Sequence, residues 1–184
     1  KISDLSITGD YFQGFIGCVS GNAEIKNVII ESGSVTGIAF VGGIVGGSAG
    51  SGCITIENCS NAAQIKATGI GSNQTTRGEN AAGIFGCNYG SNAVISIISC
   101  GNTGAVTGLK ESAAIAGWLG NNGAILSCYN TGTVSGYTSG NAFYRTGNSE
   151  TLNYNYNLVR LQRLTKTVDL TPTLDFFCLL IASK

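Results

Sequence analysis

The chain has 184 residues, among them 28 Gly, one Pro and no His, and its 10 Lys+Arg balance 10 Asp+Glu. Zero net charge without a basic block argues against a nucleic-acid partner, and no apolar run nears the roughly 18 residues of a membrane span. The absence of His removes Ser-His-Asp and Cys-His catalysis in their usual forms.

Charged residues make up 11% and hydrophobic residues 43%. With abundant Ile, Val, Ser, Thr and Asn, this composition reads as β-rich and rigid. Gly without Pro points to tight turns at regular intervals. With no Met and no signal peptide, the sequence reads as a mature chain or an excised fragment.

The first unit spans residues 1 to 37. Ile2, Leu5 and Ile7 supply an opening strand, followed by the tetrad Gly14-Phe15-Ile16-Gly17, then Asn27-Val28, then Val35-Thr36-Gly37. The second unit, 38 to 69, carries Gly43-Ile44-Val45-Gly46, Cys59-Ser60-Asn61 and Ala67-Thr68-Gly69. Its Ile54-Thr55-Ile56-Glu57 alternates with the period of two expected of a strand. The third, 70 to 108, repeats the pattern as Gly83-Ile84-Phe85-Gly86, Cys100-Gly101-Asn102 and Val106-Thr107-Gly108. Its extra length falls in the polar stretch 71–80, which should project as a loop. The fourth, 109 to 136, has Ala114-Ile115-Ala116-Gly117, Cys128-Tyr129-Asn130 and Val134-Ser135-Gly136. A degraded fifth unit has Ala142-Phe143-Tyr144 in place of the tetrad and Asn155-Tyr156-Asn157 in place of the cysteine motif.

The last tetrad glycines, Gly17, Gly46, Gly86 and Gly117, lie 29, 40 and 31 residues apart. A period near 30 is a solenoid signature. Three short strands per unit predict an all-β chain, a right-handed parallel β-helix of four to five coils over 1–157. Gly17, Gly46, Gly86 and Gly117 are expected at structural turns. Beyond residue 158 the repeat stops. Leu158, Leu161 and Leu164 at helical spacing, then Thr171-Pro172 and an apolar run from Phe176, suggest that 158–184 forms a C-terminal cap or tail.

Cys59, Cys100 and Cys128 occupy one place in successive units and are expected to stack as a ladder of buried thiols; a disulfide is the alternative. Cys18 and Cys87 match each other, each following the last tetrad Gly. No CxxC pair occurs, so zinc-type ligation has little to build on and no cofactor is expected.

The tetrads Gly14-Phe15-Ile16-Gly17, Gly43-Ile44-Val45-Gly46 and Gly83-Ile84-Phe85-Gly86 resemble the GLUG motif. Together with the Cys-x-Asn and Val-Thr-Gly elements they look like repeat regions of large bacterial surface proteins. Adhesin-like proteins and the non-catalytic parts of some immunoglobulin A peptidases belong to that family. The resemblance covers about residues 4 to 136, with Ala114 departing from the first Gly. It implies an extracellular, cell-surface setting with a spacer or binding role, and it carries no catalytic residues.

For glycoside hydrolysis two carboxylates are needed in one groove. Glu24 and Glu57 are the nearest candidates, with Glu31 after the first strand, and solvated outward positions are their simpler reading. The tetrads lack the Lys-Ser/Thr of a phosphate loop. Thr36, Thr68, Thr107 and Ser135 recur before a corner and would form a hydroxyl ladder if they face outward. Candidate ligand contacts are Asn73, Thr75 and Arg77 in the 71–80 loop, and Trp118, Tyr129, Tyr137, Tyr144 and Tyr156 near the last coils. The expected function is a non-enzymatic extracellular adhesion or spacer module meeting a host or polymer surface, glycan or protein. A carbohydrate-binding or carbohydrate-degrading β-helix is one alternative, and end-to-end self-association into filaments is another.

Overall fold

In a computed structural model, the structure describes residues 1–69, 80–88, 92–108, 111–120, 123–136, 139–144, 151–153 and 156–157. All regular elements among them are strands, and every strand pairing is parallel. The chain winds as a β-solenoid of about four turns. Each turn visits four sheets, not the three strands expected from the repeat. The additional sheet is made of two-residue strands that resemble turn sequence when read alone.

Sheet I holds Leu5–Thr8, Gly33–Gly37, Gln64–Ala67, Val106–Gly108 and Val134–Gly136. Sheet II is bent along its length. It comprises Tyr11–Gln13, Ala39–Gly42 and Asn80–Ala82 on one side of the bend, and Ile16–Ser20, Val45–Ala49 and Phe85–Cys87 on the other. Glu111–Trp118 runs through both halves, and Ser139–Tyr144 pairs with it. Sheet III holds Ala23–Lys26, Cys53–Glu57, Val94–Ile98, Gly123–Leu126 and Thr151–Asn153. Sheet IV holds Ile29–Ile30, Ser60–Asn61, Gly101–Asn102, Tyr129–Asn130 and Tyr156–Asn157.

Parallel stacking at ~4.8 Å sets equivalent residues one above another. The core is therefore a set of columns. Ile25, Ile56, Ile97 and Ile125 share one; Val35, Ile65, Val106 and Val134 share another. All are buried. Each isoleucine removed from water contributes about 1.5 to 3 kcal/mol, and no coil could bury its own apolar face alone.

Gly17, Gly46, Gly86 and Gly117 are strand residues, which corrects their assignment to turns. Glycine is required there by a close approach across the bend of sheet II. A Cβ on Gly46 would stand 2.5 Å from the carbonyl oxygen of Gly17 and from the carbonyl carbon of Phe12. Gly86 meets the backbone of Gly46 and Phe40 in the same way, and Gly117 meets Gly86 and Asn80. Gly46, Gly86 and Gly117 thus pack against the strand of the preceding coil on the far side of the bend, whereas a Cβ on Gly17 would stand 3.0 Å from the carbonyl oxygen of Phe12 in its own coil. The left-handed corners are built elsewhere: Asn27, Asn58, Ser99 and Ser127 stack between sheets III and IV with φ of 52° to 59°.

Candidate functional site

The polar side chains of the interior form two ladders. Beside sheet IV, Cys59, Cys100 and Cys128 stack as buried thiols. The backbone N–H of Cys59 donates to Cys100 Sγ at 3.4 Å, and that of Cys100 donates to Cys128 Sγ at 3.4 Å. Each thiol also donates to the carbonyl two residues before it, at Glu57, Ile98 and Leu126. Cys128 and Cys59 both hydrogen-bond Cys100, and with burial they push its thiol far up, so it remains protonated. The same Cys100 contact draws Cys59 down.

Two residues further on, Asn61, Asn102 and Asn130 form a second buried ladder that sequence reasoning did not single out. Asn61 Nδ2 donates to Asn102 Oδ1 at 3.0 Å, and Asn102 Nδ2 donates to Asn130 Oδ1 at 2.9 Å. The remaining amide hydrogens reach the carbonyls of Ala63, Gly104 and Gly132. The clue was the Asn that ends every Cys-x-Asn motif, a position where an exposed turn would tolerate other polar residues.

Outside, the hydroxyl ladder is interrupted. Register pairs Thr8, Thr36, Lys66, Thr107 and Ser135 in one column of sheet I. Thr68 lies beyond that column, because Ile65 must face the core, and its hydroxyl donates to the carbonyl of Gly37. Thr107 and Ser135 hydroxyls are 3.3 Å apart. On sheet III, Glu24 pairs with Thr55 while Lys26 pairs with Glu57. Lys26 Nζ reaches Glu57 at 3.1 Å and Glu24 at 3.3 Å, so the two carboxylates share one exposed ammonium. Those contacts, Glu57 first, raise the Lys26 pKa. Glu31 pairs instead with Lys1 at 2.7 Å. Among the described residues, no group of three His, Cys, Asp or Glu could hold a metal ion.

Among the described residues, the predicted aromatic contacts do not converge. Trp118 packs against the buried Ala39, Phe40 and Cys87, Tyr129 is exposed on sheet IV, and Tyr144 packs against the main core. Position 156 is in register with Tyr129. Asn73, Thr75, Arg77, Tyr137, the Tyr156 side chain and the predicted cap 158–184 lie outside the described residues.

Aromatic side chains do collect in a second apolar cluster beside sheet II. Phe12 and Phe40, both with left-handed backbone, stack with ring centroids 4.9 Å apart, and Tyr11 lies 6.0 Å from Phe40. Ala39, Phe40 and Cys87 form its buried floor, with Phe12, Ile38 and Trp118 packed around them. The Phe12 ring occupies the space a side chain on Gly47 would need. Tyr11 is 43% exposed and forms the accessible margin. The sequence clue is the matched pair Tyr11-Phe12 and Ala39-Phe40, one coil apart.

No family model matches the chain, and neither a curated protein nor a solved structure matches it.

Proposed function

We propose that this chain is a non-enzymatic spacer or adhesion module of a bacterial surface protein, working outside the cell as a stiff rod. One observation carries this proposal: the side chains best suited to chemistry are spent on holding coils together. The thiol ladder, the amide ladder and the Lys26–Glu57 ion pair all bond across rungs. What the molecule then offers a partner is a rigid surface of fixed spacing.

A second reading is favoured by Tyr11, 43% exposed at the margin of the Phe12, Phe40 and Trp118 cluster on sheet II. Aromatic faces stack on sugar rings, so this face is suited to contact with a glycan. Both readings are tested by incubating the protein with host glycans, mucins and plant polysaccharides while binding and product release are followed together. Binding without release, weakened by Tyr11→Ala, supports a glycan-contacting module. Release of shortened sugars overturns the non-enzymatic proposal. No interaction with any of them leaves the spacer role and removes the glycan reading.

A further inference from the structure

Three thiols stand on consecutive rungs of one column. Glu57, Ile98 and Leu126 are in register on sheet III, and Ser60, Gly101 and Tyr129 on sheet IV, so Cys59, Cys100 and Cys128 between them are in register as well. Val28 holds this place in the first coil. Parallel rungs are spaced by ~4.8 Å, inside the range of about 4.4 to 6.8 Å between Cα atoms that a disulfide bridges. Cys59 and Cys128 are two rungs apart, ~9.6 Å, which exceeds that range.

The sulfurs lie between rungs. Cys100 Sγ accepts from the N–H of Cys59 at 3.4 Å and stands 3.5 Å from the carbonyl oxygen of Ile56, both in the second coil. Cys128 Sγ accepts from the N–H of Cys100 at 3.4 Å and stands 3.6 Å from the carbonyl oxygen of Ile97, both in the third. Each of these sulfurs leans onto the rung before it, toward the next thiol. All three cysteines are buried, so an oxidant meets them as the coils stack or when a rung opens, not through the closed wall.

We propose that oxidation turns this ladder into a lock: one disulfide joins Cys100 to Cys59 or to Cys128, and the third cysteine stays a thiol. The oxidant is a low-molecular-weight disulfide. Cys59 or Cys128, having given its proton to solvent, attacks one sulfur of the oxidant, forms a mixed disulfide and releases one thiolate, which takes up the proton of Cys100. Cys100 then attacks the protein sulfur of the mixed disulfide and expels the second thiolate, which recovers a proton from solvent. Two cysteines thus lose two electrons, and the oxidant is reduced to two thiols. The hydrogen bond from Cys100 that draws Cys59 down favours the attacking thiolate. The bond spans 41 residues to Cys59 or 28 to Cys128 and ties neighbouring coils together. This pairing follows from the geometry of the column and does not rest on the spacer reading.

Refolding the full chain from urea in mixtures of reduced and oxidised glutathione, followed by alkylation and mapping of the non-reduced peptides, tests this. Peptides joined through Cys59–Cys100 and Cys100–Cys128 are expected, together at least about tenfold above Cys59–Cys128. Cys59→Ser should leave only the Cys100–Cys128 bond, and Cys128→Ser only Cys59–Cys100. The urea midpoint of the oxidised parent should rise by about 1 M and return when dithiothreitol is added, and Cys100→Ser should lose that rise. Alkylation of all three thiols in every mixture overturns the proposal. So does Cys59–Cys128 pairing at the level of the other two bonds, or its formation in folded Cys100→Ser. Pairing through Cys100 without a shift in the midpoint overturns the lock. Should Cys100→Ser not fold, Cys59→Ser and Cys128→Ser carry the measurements, each keeping the one bond and its reversible rise.

Discussion

Asn102 shows how much a single buried amide can hold in this architecture. It accepts from Asn61, donates to Asn130 and to the carbonyl of Gly104, and has no exposed surface. Asn102→Ala removes all three bonds and strands the Gly104 carbonyl, so urea unfolding should lose about 3 kcal/mol. Ser99 stands in the opposite situation. Its φ of 52° is unfavourable for a side chain that does not tolerate the left-handed region well. Ser99→Asn, matching Asn58 one coil earlier, should raise stability by about 0.5 kcal/mol in the same measurement. The thiols divide by exposure. Among the described residues, Cys18 and Cys53 are exposed, whereas Cys59, Cys87, Cys100 and Cys128 are buried. Brief alkylation of the native protein followed by peptide mass mapping should label the first two and spare the other four until the chain is unfolded.

Among elements, the bend in sheet II imposes the strictest demand. Gly46→Ala must displace backbone at Phe12 and Gly17, which no flexible side chain can absorb. A drop in stability of about 3 kcal/mol or more is expected. Gly50→Ala is the informative comparison: φ is +76° but nothing lies within 4 Å of the added Cβ, so only the cost of the conformation, about 1 kcal/mol, should appear. Thermal unfolding of the pair separates crowding from conformational strain. These elements also show what the sequence made legible. The core columns could be read because a buried column accepts few residue types, so Cys59, Cys100 and Cys128 announce one another across units. Parallel strands could be read because Ile54-Thr55-Ile56-Glu57 alternates. Sheet IV was hidden because Ser60-Asn61 is too short to show a period. Thr68 was placed in the wrong column because Thr-Gly recurs at the end of each unit, whereas the inward demand of Ile65 puts Lys66, two residues earlier, opposite Thr36. The aromatic cluster of sheet II was missed because Phe12 and Phe40 are held by left-handed backbone, which strand alternation does not anticipate.

For the whole molecule, stability should depend on where along the stack a contact is lost. Ile56 is covered on both sides and 0% exposed, while Ile16 belongs to the first coil and is only partly buried. Ile56→Ala should cost about 4 kcal/mol and Ile16→Ala about half of that, read from chemical denaturation at constant slope. Equal losses would mean that the first coil is covered as fully as the middle of the stack.

The directed amide ladder has a consequence for how the chain finds its alignment. Inward and outward alternation distinguishes a shift of one residue between neighbouring coils but is blind to a shift of two, which leaves every apolar side chain facing inward. A shift of two would slide Asn61 off Asn102 and leave both amides in the dry interior without each other. Each lost bond carries a penalty of about 1 to 3 kcal/mol, incurred at every rung that slips. The asparagines thus act as a proofreading mark, rejecting the one misalignment that the hydrophobic pattern would accept.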